Sequence, residues 1–179
     1  MIEPRTAQTP SLDTTRLKLV CFDESCITPE YLGWLNDKAH MQWSRQKLFD
    51  HSRASCLDHL RSFEGTSNHY WSIRVKETGE AVGTASAYRT EQAADIGILI
   101  APKAKGTGYG AEAWGAIMDF LFRVVGVDTV TGGTVVGNLA MVRIFERWKM
   151  EQFSRVYSEQ YLAEIVRFQL TREQWNALS

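Results

Sequence analysis

The chain has 179 residues, a formal net charge of −1, 44% hydrophobic residues and 11% aromatic residues. This length suits one domain with a substantial buried core, and the nearly balanced charge disfavours non-specific nucleic-acid binding, which needs a basic surface. No apolar run approaches the roughly 18 residues that span a bilayer, and no signal-peptide core is present. We therefore expect a cytoplasmic protein without a membrane partner.

The cysteines and histidines are not spaced as metal ligands. Cys21, Cys26 and Cys56 are odd in number and form no CxxC pair, which favours reduced core thiols over a disulfide framework. The four histidines form no i,i+4 pair and lie at no zinc spacing from a cysteine. No metal site is predicted.

The chain is predicted to begin with a tail and a strand. Residues 1–15 are rich in Thr, Pro and Ser, which predicts a flexible tail or one that is strapped onto the domain. A single domain is predicted over residues 16–179. Its first strand is placed at residues 16–22, where apolar residues alternate and then run together.

Two helices are predicted next. Thr28 and Pro29 are typical of an N-cap and a first helical position, and a second helix is predicted from Ser52 to a stop at Gly65. The segment between them, residues 39–51, combines aromatic and basic side chains. It is either a wall of a substrate site or a packed loop.

From residue 69 the apolar period changes from that of a helix to that of a strand. Three strands are predicted at residues 69–75, 81–89 and 94–100. Their connections are too short for crossover helices, so the three strands should form an antiparallel meander.

The stretch from Lys103 to Ala113 joins the third of these strands to a long amphipathic helix. Gly106, Gly108 and Gly110 leave main-chain N–H groups bare of side chains at a helix N-terminus, where the dipole favours a bound anion. Lysines in the loop add positive charge. A phosphate or diphosphate ligand is the first hypothesis, and a flexible connection is the alternative.

The second half of the chain is predicted to complete the sheet. A crossover helix that Gly126 closes should set the next strand parallel to the strand before the glycine loop. The predicted elements are a helix at 110–125, a strand at 129–136, a helix at 138–148, and a hairpin formed by 152–157 and 161–171.

This order of elements resembles the GCN5-related N-acetyltransferase (GNAT) superfamily from Arg16 onward. The family's loop, Arg/Gln-x-x-Gly-x-Gly/Ala, is matched from Lys105 to Gly110 with Lys in first place, and the helix led by Asn138 is similar to the family's later motif. Residues 34–37 and 95–100 most resemble the RimJ/RimL-like branch and its relatives that acetylate amino-sugar nucleotides. The resemblance implies a mixed α/β fold: about seven mostly antiparallel strands, flanked by helices, with a V-shaped split between the strands at 94–100 and 129–136.

The resemblance also implies acetyl-CoA as cofactor. The strand before the loop would pair with the pantetheine arm, the loop N–H groups would bind the diphosphate, and Asn138 would hydrogen-bond the pantetheine or the thioester; an N-cap role for Asn138 is compatible with this. The predicted cofactor residues are Ile98, Leu99, Ile100, Lys105, Gly106, Thr107, Gly108, Tyr109, Gly110, Ala111 and Asn138.

Acyl transfer to an amine needs a neutral nucleophile, a polarised carbonyl and a proton for the departing thiolate. Asp95 and Asn138 are the candidate catalytic residues. Asp95 stands where many family members have a catalytic glutamate, and a structural carboxylate is the alternative. The family's usual serine and tyrosine proton donors are replaced by Met141 and Phe145, and Tyr157, Tyr161 or water remain as substitutes. Lys149 and Met150 replace the Gly-Phe that usually closes this motif.

The predicted acceptor is the primary amine of a small molecule, such as an amino sugar or sugar nucleotide. Trp43, Arg45, His51 and Tyr88 are the candidate walls of its pocket. A protein N-terminus, as in RimJ/RimL-like enzymes, is the alternative acceptor. The last strands are candidates for a homodimer interface.

Two other classes of protein are alternatives to this hypothesis. Residues 106–111 also fit the dinucleotide pattern G-x-G-x-x-A, with Asp128 near the place of a ribose-binding acid. However, the motif follows an antiparallel meander, and Asp128 precedes its strand instead of ending it. The missing Ser and Tyr leave a non-catalytic acyl-CoA-binding module as the other alternative.

Overall fold

The structure is a computed structural model that describes residues 8–178. Within that range it contains eight strands and five α-helices. The strands are β1 (Leu12–Asp13), β2 (Leu17–Cys21), β3 (His69–Val75), β4 (Ala81–Arg89), β5 (Ala93–Ile100), β6 (Thr129–Val135), β7 (Glu151–Ser158) and β8 (Ala163–Thr171). The helices are α1 (Pro29–Asn36), α2 (Arg53–Arg61), α3 (Tyr109–Phe120), α4 (Leu139–Arg147) and α5 (Arg172–Leu178).

All eight strands form one sheet, in the order β1-β2-β3-β4-β5-β6-β8-β7. Only the β5–β6 pair is parallel, because α3 carries the chain back across the sheet between these two strands. The predicted mixed, mostly antiparallel sheet is confirmed, with eight strands instead of about seven.

The additional strand lies in the segment that the sequence assigned to a flexible tail. Leu12 pairs with Leu19 of β2, and the Trp71 indole N–H donates to the Pro10 carbonyl at 2.8 Å. The described part of the tail is therefore strapped onto the sheet edge, where sheet hydrogen bonds fix it. Residues 1–7 of the predicted tail lie outside the described residues.

The predicted helix starts are confirmed. The hydroxyls of Thr28 and Ser52 accept from the main-chain N–H three residues on, as N-caps do. The second helix ends earlier than predicted, at Arg61; Gly65 adopts its positive φ of 69° four residues later, after a run of turns.

The long helix after the glycine loop also differs from the prediction. Its α-helical part ends at Phe120 and a wider π-helical turn, Leu121–Val125, follows, with Gly126 closing it at a φ of +83° as predicted. The sequence did not predict helix α5. Its Trp175 packs against Phe122 and Trp148, which are distant in the sequence, so no local pattern indicates these contacts. No described helix combines the length and apolar character needed to cross a membrane.

Helices cover both faces of the sheet, and alternate residues of β3 show how. Tyr70 stacks on Phe63 beyond α2 at a ring-centroid distance of 4.9 Å, on the face that α1 and α2 cover. Trp71 points the other way and contacts Phe120 of α3 edge-on at 6.0 Å. Since successive residues of a strand face opposite sides of the sheet, the apolar residues of β3 are buried on both faces.

Candidate active site

Strands β5 and β6 are paired only at their beginning. Residues 93–95 of β5 pair with residues 129–131 of β6, after which β5 remains paired with β4 and β6 with β8. The sheet therefore splits in the predicted V shape. From Ile96 to Ile100, the β5 edge that faces β6 has no strand partner, which leaves main-chain donors and acceptors available to an extended ligand.

The glycine loop lies at the end of this free edge. Gly106 and Gly108 have φ angles of +77° and +82°, a left-handed conformation that side chains disfavour. A Cβ at Gly106 would meet nothing within 4 Å, so this part of the loop borders open space. The N–H groups of Gly106, Gly108, Gly110 and Ala111 have no acceptor among residues 8–178, and the last two open α3. Such a nest of free donors at a helix N-terminus suits an anion.

Arg16 holds this loop from outside, which the sequence did not predict. Its guanidinium donates to the Thr107 carbonyl at 2.9 Å, contacts the Glu112 carboxylate at 2.7 Å, and lies 4.7 Å from the centre of the Tyr109 ring. No local pattern links residues 16 and 112, so only the folded chain reveals this contact.

A single cleft of about 1480 Å³ runs from the glycine loop, along the split in the sheet, to the segment at residues 39–51. All the residues predicted to bind the cofactor, the two candidate catalytic residues and the predicted acceptor walls line it; their roles remain predictions. These residues are Trp43, Arg45, His51, Tyr88, Asp95, Ile98, Leu99, Ile100, Lys105, Gly106, Thr107, Gly108, Tyr109, Gly110, Ala111 and Asn138.

Asp95 is held by two polar groups at the point where β5 and β6 separate. Its Oδ1 accepts from the Thr131 hydroxyl at 2.6 Å and from the Arg167 guanidinium at 2.7 Å. Its Oδ2 has no hydrogen-bond partner within residues 8–178. The carboxylate is thus fixed through one oxygen, and the other is available to a ligand or a water. Neither Thr131 nor Arg167 was predicted.

Asn138 takes the N-cap role, and its role toward the cofactor stays a prediction. Its Oδ1 caps α4 by accepting from the Met141 N–H at 3.4 Å, and its Nδ2 donates to the Thr134 hydroxyl at 3.0 Å. The residue also borders the cleft. These contacts fix its side chain at the β6–α4 turn.

The positions that replace the family's usual proton donors differ in location. Met141 lines the cleft, whereas Phe145 is fully buried and packs against Trp114 and Phe168. Of the two substitute tyrosines, Tyr161 lines the cleft; Tyr157 does not and is 62% exposed.

The segment at residues 39–51 reaches across the cleft to the other half of the sheet. The Trp43 ring lies so close to Gly137 that a Cβ there would come within 2.9 Å of it. The Arg45 guanidinium donates to the side-chain amide oxygen of Gln160, in the β7–β8 turn, at 2.8 and 2.9 Å with the amide oriented to accept both bonds. These two contacts cover the end of the cleft where the acceptor is predicted to bind.

Three further aromatic residues that border the cleft escaped the sequence analysis. Tyr31 and Tyr70 share a hydroxyl–hydroxyl hydrogen bond of 2.7 Å. Burial, and after it the charge of Lys105, lowers the pKa of His40 and favours its neutral form. At the predicted acceptor wall, burial raises the pKa of Tyr88, so its phenol stays protonated. Residues 31 and 70 look like ordinary core positions in the sequence, and residue 40 was covered only by the general prediction for residues 39–51.

Comparison with known families gives this site its class. A family model described as an acetyltransferase (GNAT) domain matches residues 16–151. The chain therefore belongs to the GNAT acetyltransferases and is an N-acetyltransferase. Members of this family use acetyl-CoA.

Solved structures agree on the fold. RimL, a ribosomal protein alpha-N-acetyltransferase solved with coenzyme A, has a TM-score of 0.80 at 18% identity, over 92% of this chain and 99% of that one. A spermidine N-acetyltransferase from Vibrio cholerae, solved with CoA and spermine, has a TM-score of 0.79 at 14% identity over 91% and 99%. A GNAT-family acetyltransferase from Bacillus anthracis has 0.78 at 14% over 92% and 99%. At these identities the similarity concerns the fold alone.

Proposed function

We propose that this protein transfers the acetyl group of acetyl-CoA directly to the primary amine of a small molecule, such as an amino sugar or sugar nucleotide. One observation supports the proposal above the others. The unpaired edge of β5 leads into free N–H donors at the start of α3, within a cleft that continues to a roofed second compartment. A long ligand with an anionic end fits the first part, and an acceptor fits the second.

The residues present fit the cofactor along its length. The N–H groups between Gly106 and Ala111 would bind the diphosphate, and the free main-chain groups of residues 98–100 would pair with the pantetheine amides. Lys105, Arg143 and Arg147 border the same cleft, and none of their side chains forms a hydrogen bond or ion pair within the described chain. Their positive charge favours the phosphate groups.

The chemistry divides between residues on the two sides of the split. Bound acetyl-CoA supplies an activated thioester. Asp95 would take a proton from the amine, directly or through a water, while Thr131 and Arg167 hold its carboxylate in place. Asn138 would orient the cofactor from the β6–α4 turn. Of the two substitute tyrosines, Tyr161 lines the cleft and would donate a proton to the departing thiolate.

Acetyl-CoA binding tests the first part of the proposal. We expect isothermal titration to detect binding in the native chain and to show a large loss for Gly106→Ala, whose Cβ projects into the space beside the loop donors. Gly65→Ala is the matched control, since its φ of +69° imposes similar strain and its Cβ also meets nothing within 4 Å, away from the cleft. Equal affinities of the two variants for acetyl-CoA would show that the glycine loop is not part of the binding site.

Turnover tests the second part. Release of the CoA thiol is measured with acetyl-CoA and a panel of amino sugars, sugar nucleotides, simple amines and short peptides with free N-termini. Transfer to small amines is the expected result. Preference for the peptides would favour a protein N-terminal acetyltransferase, and acetyl-CoA binding without any transfer would favour a non-catalytic binding module.

A further inference from the structure

Each carboxylate of the cleft lining already lies beside a cation of the protein. Among the described residues, only Asp50 and Asp95 supply carboxylates to its lining. Asp50 lies 3.2 Å from the Lys38 ammonium, and Asp95 lies 2.7 Å from the Arg167 guanidinium. Both negative charges are already balanced by the protein itself.

The positive charges of the lining are not balanced in the same way. Five arginine or lysine residues line the cleft, and only Arg167 has a carboxylate partner in the described chain. Three of the others lie at the glycine-loop end, where the diphosphate is proposed to bind. Lys105 belongs to the loop, and Arg143 and Arg147 belong to α4, whose Ile144 faces Gly110. The five are Arg45, Lys105, Arg143, Arg147 and Arg167.

Arg45 is the uncompensated cation of the acceptor end. Its described partner is the Gln160 amide, which is neutral, and both residues belong to the roof over this compartment. A guanidinium held by a neutral amide keeps its full charge and retains donors for a further acceptor. Arginine is also suited to phosphate and carboxylate groups, which it binds through two parallel hydrogen bonds.

From this charge arrangement we infer that the acceptor amine carries an anionic group, a phosphate or a carboxylate, which Arg45 binds. The inference rests on the proposed function and narrows its substrate class. A polyamine would bring several ammonium groups beside Arg45 into a compartment whose carboxylates are already paired, so it would be repelled. An amine with a nearby anionic group instead complements the unpaired positive charge of Arg45.

Three acceptors of one carbon skeleton test the inference: 3-aminopropyl phosphate, β-alanine and 3-amino-1-propanol, with spermidine as the polycation. CoA release is measured at equal concentrations of neutral amine. We expect kcat/KM for at least one anionic acceptor to exceed that of the alcohol by about ten- to a hundredfold. Whether phosphate or carboxylate is preferred identifies the anion. A rate with spermidine equal to or above that of both anionic acceptors would overturn the inference.

Arg45→Gln should reduce this preference to near unity. Lys47→Gln, in the same short turn but outside the cleft lining, should keep it. An unchanged preference in Arg45→Gln would also overturn the inference. Acetyl-CoA titration of each variant distinguishes a failure of this inference from a failure of the proposed function. Binding and turnover without anion preference refute only this inference, whereas absence of binding or of turnover with every acceptor refutes the proposed function and this inference with it.

Discussion

Tyr161 and Tyr157 lie four residues apart in the β7–β8 hairpin, but only Tyr161 borders the cleft. We expect Tyr161→Phe to lower kcat by about a hundredfold if its phenol protonates the thiolate, with little change in KM for acetyl-CoA. Steady-state kinetics measure both constants. Tyr157→Phe, which removes the same hydroxyl from an exposed position, should leave them unchanged. A fully active Tyr161→Phe enzyme would instead assign the proton to water.

His69 is a buried titratable group that does not line the cleft. It is 1% exposed, stacks on Trp71 at 5.3 Å, and neither ring nitrogen has a hydrogen-bond partner among the described residues. Burial, and secondarily the charge of Arg89, lowers its pKa from 6.5 to about 4. Below pH 6.5 the unfolded chain therefore binds a proton that the folded chain refuses, so stability falls between about pH 6.5 and pH 4.

Urea unfolding at two pH values tests this assignment. Between pH 7.5 and pH 5, His69 should reduce the free energy of unfolding by about 2 kcal/mol. His69→Phe keeps an aromatic ring without the titrating group, so the native chain should lose about that much more stability than the variant over the same pH change. Identical pH dependence of the two proteins would show that His69 protonates in the fold.

At the scale of elements, Glu112 connects the first turn of α3 to the residues between β1 and β2. Its carboxylate accepts from the Thr14 hydroxyl at 2.6 Å, and from the main-chain N–H and guanidinium of Arg16 at 2.8 and 2.7 Å. Burial alone would raise the pKa of Glu112, but these hydrogen bonds outweigh it and lower the pKa. The contact therefore stabilises the fold at neutral pH, and that stability is lost as the pH falls below about 4.5 and through the lowered pKa.

Glu112→Gln should therefore cost about 1 to 3 kcal/mol of unfolding free energy, because charged hydrogen bonds at a partly buried site are lost. Asp119→Asn, in the exposed ion pair with Arg123 on the same helix, should cost less than about 1 kcal/mol. Urea unfolding measures both changes. Since Arg16 also holds Thr107, only Glu112→Gln should weaken acetyl-CoA binding; equal effects of the two variants would contradict this role for the contact.

At the scale of the whole molecule, the cleft lies between two parts of the sheet. These parts are connected at the base of the cleft by three residue pairs between β5 and β6. A ligand that contacts both sides should stabilise the protein. With acetyl-CoA at a hundred times its dissociation constant, we expect a gain of about 2.7 kcal/mol. Amide hydrogen exchange should slow at residues 98–100 and 106–111, whereas α5, none of whose described residues lines the cleft, should exchange as before. Protection confined to other regions would contradict the proposed binding mode.

Several features of this protein were predictable because they depend on near neighbours in the chain. The N-caps at Thr28, Ser52 and Asn138 each bond to an N–H three residues on, and short connections set the antiparallel meander. The glycine spacing marked the loop because positive φ angles are a local requirement of its backbone. Together with the resemblance to GNAT proteins, these signals predicted the sheet, the split and part of the set of residues that line the cleft.

The sequence alone thus determined local backbone geometry and the order of the elements, since both follow from contacts within a few residues. Only the tertiary structure decided the pairings of distant groups. In the folded chain Arg167 contacts Asp95, Arg16 contacts the glycine loop and Trp43 contacts Gly137. Tyr161 lines the cleft, whereas Tyr157 does not. The physical reason is that charge and exposure at a site depend on which chain segments meet there, and no local pattern records that meeting.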